Sequence, residues 1–117
     1  MSIRTERVAQ LIKQEISRAL TRDIETDGYG LLTVTDVMVT PDLRIAKIYV
    51  SHFQSGKTDD EVLAFLEDNA KELRMGVGRS VRIKFTPELR FFIDQTLDKV
   101  ERIEELIKKI HEDEQGR

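Results

Sequence analysis

Four arginines on one flank of a helix are the strongest chemical signal in this sequence. With residues at about 100° intervals around a helix axis, Arg4, Arg7, Arg18 and Arg22 fall within roughly 60° of one another. A guanidinium offers a planar fork of N–H donors that fits phosphate oxygens, so such a set suits a polyanion. A second basic group follows later in Lys71, Arg74, Arg79, Arg82 and Lys84. The competing reading is a solvated rim, with Glu15 and Asp23 available to pair with the first group. Other chemistry is sparsely supplied. There is no cysteine, which excludes disulfides and thiolate sites. His52 and His111 lie far apart, so a zinc site would have to lean on carboxylates. Asp59-Asp60-Glu61 has the composition of a metal cluster, but negative charge in a helix's first turn already has a dipole explanation. No nucleophile–base pair, metal triad or phosphate-binding glycine loop can be assembled. The sequence therefore argues against an enzyme, a cofactor or a small-molecule substrate.

The 117 residues suit one domain, since two separate cores would each be too small. The net charge of −3 seems at first unsuited to a polyanion. Its distribution says otherwise. Residues 1–22 carry five basic and two acidic groups, and residues 71–90 carry six and two. Residues 23–70 hold three basic and ten acidic groups, so the negative charge is concentrated elsewhere. A polyanion feels the local field within a Debye length of about 8 Å. Two basic segments brought together by the fold would thus still attract it. No apolar run follows the N-terminal charges, and none reaches the roughly 20 residues of a bilayer span. A cytoplasmic protein with no membrane partner is expected.

The elements that must position these groups follow from periodicity. Apolar residues at Val8, Leu11, Ile12, Ile16, Ala19 and Leu20 predict an amphipathic helix over 3–24, with the arginines rimming its buried stripe. Asp27-Gly28-Tyr29-Gly30 ends it in a turn. Residues 31–40 predict a strand in which Leu32 and Val34 share one face and Val37 and Val39 the other. A bulge near Asp36 would account for that change of phase. Pro41-Asp42 turns into a second strand over 44–53, whose apolar face is Ala46, Ile48 and Val50. Tyr49 and Phe53 point the other way, either to stack on bases or to pack beneath a later helix.

Thr58 and Glu61 form a capping box that opens a second helix, which buries residues up to Val77. Gly78 is placed as its left-handed C-cap. Val81, Ile83 and Phe85 alternate with Arg82 and Lys84, predicting a third strand with a basic outer face. Pro87 bends it or puts it at an edge, and residues 89–93 resume it. Asp94 or Thr96 caps a last helix bearing Leu97, Val100, Ile103, Leu106, Ile107 and Ile110. Residues 111–117, without apolar side chains, read as a flexible tail after a single domain over 1–110.

Several stretches, taken in order, resemble the ribosome-binding factor A family, whose fold is a type II KH-like domain. They are Arg4-x-x-Arg7-Val8, Gly30 to Val37, Asp42-Leu43, Ala46 to Ser51, Arg74, Gly78, Arg82 to Leu89, Phe91, Asp94 and Arg102-Ile103. The resemblance runs from about Ile3 to Ile110. It implies an α+β fold: a small three-stranded sheet with helices packed on one face. The implied order is helix, strand, strand, kinked helix, strand, helix. At the kink the family has Ala-x-Gly, and this chain has Asn69-Ala70-Lys71. Asn tolerates unusual backbone angles, so a break is expected to persist, with Lys71 offering a charge in place of the glycine.

The resemblance further implies a non-catalytic factor that binds the small (30S) ribosomal subunit and its 16S rRNA during late maturation and rRNA processing. A link to growth in the cold is part of it. The expected RNA-binding residues are Arg4, Arg7, Arg18, Arg22, Lys71, Arg74, Arg79, Arg82 and Lys84. No metal or cofactor is expected, and the expected state is a monomer. The alternative is a protein–protein docking module without RNA contact.

Overall fold

A computed structural model describes residues 3–95. Its elements are α1 (Ile3–Arg22), β1 (Leu31–Val39), β2 (Ile45–Phe53), α2 (Asp59–Asp68), α3 (Ala70–Ser80) and β3 (Glu88–Ile93). The last helix expected from Asp94 or Thr96, and the tail over 111–117, lie outside the described residues.

α1 buries Val8, Ile12, Ile16, Ala19 and Leu20, the stripe set by the helical spacing. That stripe packs on β1, and its flank packs on α3. The sheet order is β1-β2-β3. β1 and β2 pair antiparallel, and the register shifts between Val34 and Asp36, leaving Thr35 as the extra residue of a bulge. Because successive strand residues alternate faces, one inserted residue lets both Val34 and Val37 point into the core. β3 pairs parallel with β2, from Ile45↔Glu88 to Val50↔Ile93. A parallel neighbour needs a crossover, which α2 and α3 supply.

Val34, Val37, Val39, Ala46, Ile48, Val50 and Phe91 join the apolar residues of α1, α2 and α3 in one core. Ile12, Ile16, Ile48, Leu66 and Leu73 are among its fully buried side chains. Burial of such side chains contributes about 1.5–3 kcal/mol each, so this one cluster carries the fold. The opposite face of the sheet carries Tyr49 stacked on Phe92, with ring centroids 5.4 Å apart.

Thr58 caps α2 as expected, with Glu61 engaged through the Thr58 hydroxyl. Thr58 Oγ1 accepts the Glu61 N–H at 3.1 Å and donates to the Glu61 carboxylate at 3.3 Å. The helix breaks where Asn69 falls, with φ −99° and ψ 4°. Its Nδ2 donates to the Phe65 carbonyl at 2.9 Å, which also accepts the Asn69 backbone N–H at 3.2 Å.

Two local expectations are corrected. Residues 81–87 form a loop, and the third strand begins only at Glu88. The Arg74 guanidinium takes the Thr86 and Pro87 carbonyls at 2.8 and 3.1 Å, and Pro87 has no N–H to give. Those groups are lost to a sheet ladder. Gly78 is no left-handed cap: α3 continues to Ser80, and Gly78 is not among the residues with positive φ. Its lack of a side chain serves packing instead, because a Cβ there would lie 2.9 Å from Thr86 Oγ1.

Candidate nucleic-acid interface

All nine basic residues singled out by the sequence are exposed. The fold sorts them into neighbourhoods. Arg4, at the start of α1, lines a cleft with Arg44, Lys84 and Phe85. Phe85 also walls a second cleft, of about 420 Å³, with Lys71, Arg74 and Met75. The two clefts therefore meet at one aromatic ring. Their linings hold five cations (Arg4, Arg44, Lys71, Arg74 and Lys84) and one carboxylate, Asp42. Thr40 donates to that carboxylate at 2.6 Å, and the Arg44 N–H donates to it at 3.1 Å. The Thr40 bond first, then the Arg44 N–H, hold its pKa below the ordinary value.

The other arginines stand apart from this cluster. Arg7 lines a groove with Glu6 and Asp36. Arg18 is bound to Glu15 at 2.6 Å and to Asp23 at 3.3 Å, so its charge is largely answered. Arg79 lines a third cleft that also holds Glu15, Asp23 and Glu72. Glu15 is only 7% exposed and sits where α1 meets α3. The Arg18 hydrogen bond holds its pKa below the usual range against the opposing effect of burial. Arg22 lies about 27 Å along the α1 axis from Arg4. The α1 arginines are thus a stripe whose N-terminal end alone joins the cation cluster. Arg82 is exposed on the 81–87 loop that carries Lys84 and Phe85.

Sequence reasoning missed Arg44, Met75 and Phe85 as part of this surface. Arg44 lay in a segment that is acidic overall, and Phe85 was assigned to an apolar strand face. Nothing in local composition signals that the loop turns its ring outward.

It also missed a brace at the far end of β2. His52 Nδ1 lies 2.6 Å from Ser55 Oγ, and Nε2 lies 2.9 Å from Asp59 Oδ1. Ser55 Oγ also accepts the Lys57 N–H at 3.1 Å, and because the Asp59 carboxylate can only accept, the hydrogen of its bond to His52 is on Nε2. Gln95 donates to the other Asp59 oxygen at 2.8 Å. The residue types are those of a hydrolase, yet Ser55 lines none of the clefts above. The arrangement ties β2 to the first turn of α2. Its pH behaviour can be tested. The His52 bond first, then the Gln95 bond, lower the Asp59 pKa from its ordinary 3.8. A lowered folded-state value gives stability that is present above the ordinary pKa and lost as pH falls through the folded value. Asp59→Asn should therefore flatten the acid limb of a urea-unfolding series measured from about pH 5 down to 2.

The structure defines a small α+β domain with a cationic, ring-centred double cleft, the kind of surface that suits a phosphate-bearing partner. Comparisons with known proteins sharpen that class. The family model described as ribosome-binding factor A matches residues 4–107. A ribosome-binding factor A of Chlorobium phaeobacteroides is 38% identical over 117 residues, covering 98% of this chain and all of the relative. That of Desulforamulus reducens is 39% identical over 114 residues, covering 97% and 95%. The chain belongs to the ribosome-binding factor A family. Among solved structures, ribosome-binding factor A from Thermus thermophilus superposes with a TM-score of 0.67 at 21% identity, covering 76% of this chain and 94% of that one. A homology model of the same factor, fitted into a cryo-EM map of its complex with the 30S subunit, gives a TM-score of 0.65 at 25% identity, covering 78% and 94%.

Proposed function

We propose that the protein is a non-catalytic factor that binds the small ribosomal subunit through its 16S rRNA during late maturation and rRNA processing. It acts in the cytoplasm, as a monomer. The observation that carries this reading is the cluster of five cations against one carboxylate, on a chain of the ribosome-binding factor A family. Support also comes from the Thermus thermophilus factor, described in a complex with the 30S subunit. Arg4, Lys71, Arg74 and Lys84, joined by Arg44, form the centre of the RNA surface. Arg7, Arg18, Arg22, Arg79 and Arg82 extend its field. Asn69 sets the start of α3, and one residue on, after Ala70, Lys71 supplies charge where the family's turn has glycine.

Co-sedimentation tests this directly. The protein should pellet with free small subunits and not with assembled ribosomes. The bound fraction should fall steeply between about 50 and 200 mM salt, because each neutralised phosphate releases a condensed cation. Binding indifferent to salt would favour the protein-docking alternative. Absence from the subunit pellet at low salt would overturn the reading.

A further inference from the structure

Phe85 is 70% exposed on a loop whose other apolar members, Val81 and Ile83, turn inward. A large ring left in water between two clefts is unused by the fold. The loop bearing it is nonetheless held firmly. Arg74 binds the carbonyls of Thr86 and Pro87, the Glu88 N–H donates to the Arg44 carbonyl at 2.8 Å, and Pro87 is fully buried. These bonds take two of the five Arg74 donors and leave the rest for a ligand. Lys84 Nζ stands 5.5 Å from the ring centroid. Beyond the ring, Met75 adds a second exposed apolar side chain, at 55% exposure, in the cleft shared with Lys71 and Arg74.

We propose that Phe85 is a stacking platform for an unpaired RNA base, with the flanking phosphates held by Lys71 and Arg74 on one side and by Arg4, Arg44 and Lys84 on the other. The proposal rests on the RNA-binding reading above and specifies the state of the RNA taken at that site. Single-stranded nucleic acid is held by an aromatic face for the base and a cationic groove for the backbone, and both occur here together. A duplex offers no free base face, since its bases are already stacked, and RNA duplexes are recognised by shape and by contacts to phosphate and 2′-hydroxyl groups. A protein partner would have to cover Lys71 and Lys84 beside the ring, and lysine is depleted in the cores of protein interfaces. Because the loop is braced, stacking would order only the ring's own two torsions.

The test uses the full chain and a short single-stranded RNA carrying 2-aminopurine, whose fluorescence is quenched on stacking, alongside the same sequence annealed into a duplex. The native protein should quench the single strand and bind it more tightly than the duplex. Phe85→Ala should weaken single-strand affinity by about 10-fold or more and remove the quench, at unchanged salt slope. Phe85→Tyr should retain both, and Phe85→Leu, which keeps apolar bulk without an aromatic face, should behave like alanine. All three variants should unfold at the native urea concentration, since the ring is exposed. Equal single-strand affinity for the native protein and Phe85→Ala overturns the platform, as does no measurable single-strand binding by the native protein. If Phe85→Ala keeps RNA affinity but no longer pellets with small subunits, the ring docks a protein, and the platform fails while subunit binding stands. Failure of the native protein to pellet with subunits would instead overturn the function itself.

Discussion

Gly30→Ala is expected to lower the unfolding free energy by roughly 3 kcal/mol or more, a large share of the ~5–15 kcal/mol that holds a typical domain together. Two effects coincide at this residue. Its φ is +63°, a conformation L side chains rarely adopt. A Cβ would also lie 2.3 Å from the Phe53 carbonyl oxygen and 2.8 Å from the backbone of Gln54 and Ser55. Phe53 is the last residue of β2 and pairs with Leu31, and Gln54 and Ser55 follow it directly, so these atoms cannot move aside without disturbing that pair. Gly28 provides the internal comparison. Its φ is +87°, but an added Cβ would meet nothing within 4 Å. Gly28→Ala should therefore cost only the backbone term, about 1–2 kcal/mol. Urea unfolding of both variants separates conformational strain from collision. Equal losses would show that Gly30 is required only for its backbone angle.

The second large effect is on binding. Replacing Arg4, Arg44, Lys71 and Lys84 together by alanine should make the salt dependence of small-subunit affinity shallower by about 3 in log–log slope, at ~0.7–0.9 per phosphate contact. If each cation meets one phosphate, the same counterion term predicts a loss of about three orders of magnitude near 0.1 M salt. Arg74 is left intact because its guanidinium braces the 81–87 loop, and its loss would confuse charge with shape. Thermal stability should barely move, since exposed charges contribute little to folding. Glu67→Ala, removing an exposed carboxylate on α2, should leave affinity unchanged or slightly tighter. A quadruple variant with native affinity and slope would place the RNA surface elsewhere and favour docking through protein contacts.

Much of this architecture was legible because it rests on short-range patterns. The stripe on α1 needs only helical spacing, and the hairpin needs only its turn between two β-rich runs. A bulge was visible too, expected near Asp36 and found one residue earlier at Thr35, because Val34 and Val37 cannot share a face in an unbroken strand. The break at Asn69 came from the family resemblance, and its side chain bonds back to the Phe65 carbonyl, the kind of local bond that competes with a continuing helix. The misses have one common cause. Alternation of Val81, Ile83 and Phe85 fits a strand equally well, but Arg74 reaches the next carbonyls from another element and keeps that segment out of the sheet. The glycine at 78 looked like a terminator, whereas its neighbour in space, Thr86, explains it. The cation cluster was half legible: the charges were counted correctly, and the pairing of Arg18 with Glu15 and Asp23 is local, but which cations the fold gathers around Phe85 depends on tertiary contacts.

The parallel pairing of β3 against β2 has a consequence in time. β1 and β2 are joined through residues 40–44, so their contacts close early and locally. The other side of β2 must wait until residues 54–87 have emerged and packed as α2 and α3. Until then the middle strand of the finished sheet is an edge, with a free row of N–H and C=O groups open to any extended chain nearby. β3 thus covers the nine-residue edge of β2 and presents a shorter one of six residues in its place. A chain interrupted near Gly56 would possess α1 and a formed hairpin, yet would carry the template on which such chains aggregate.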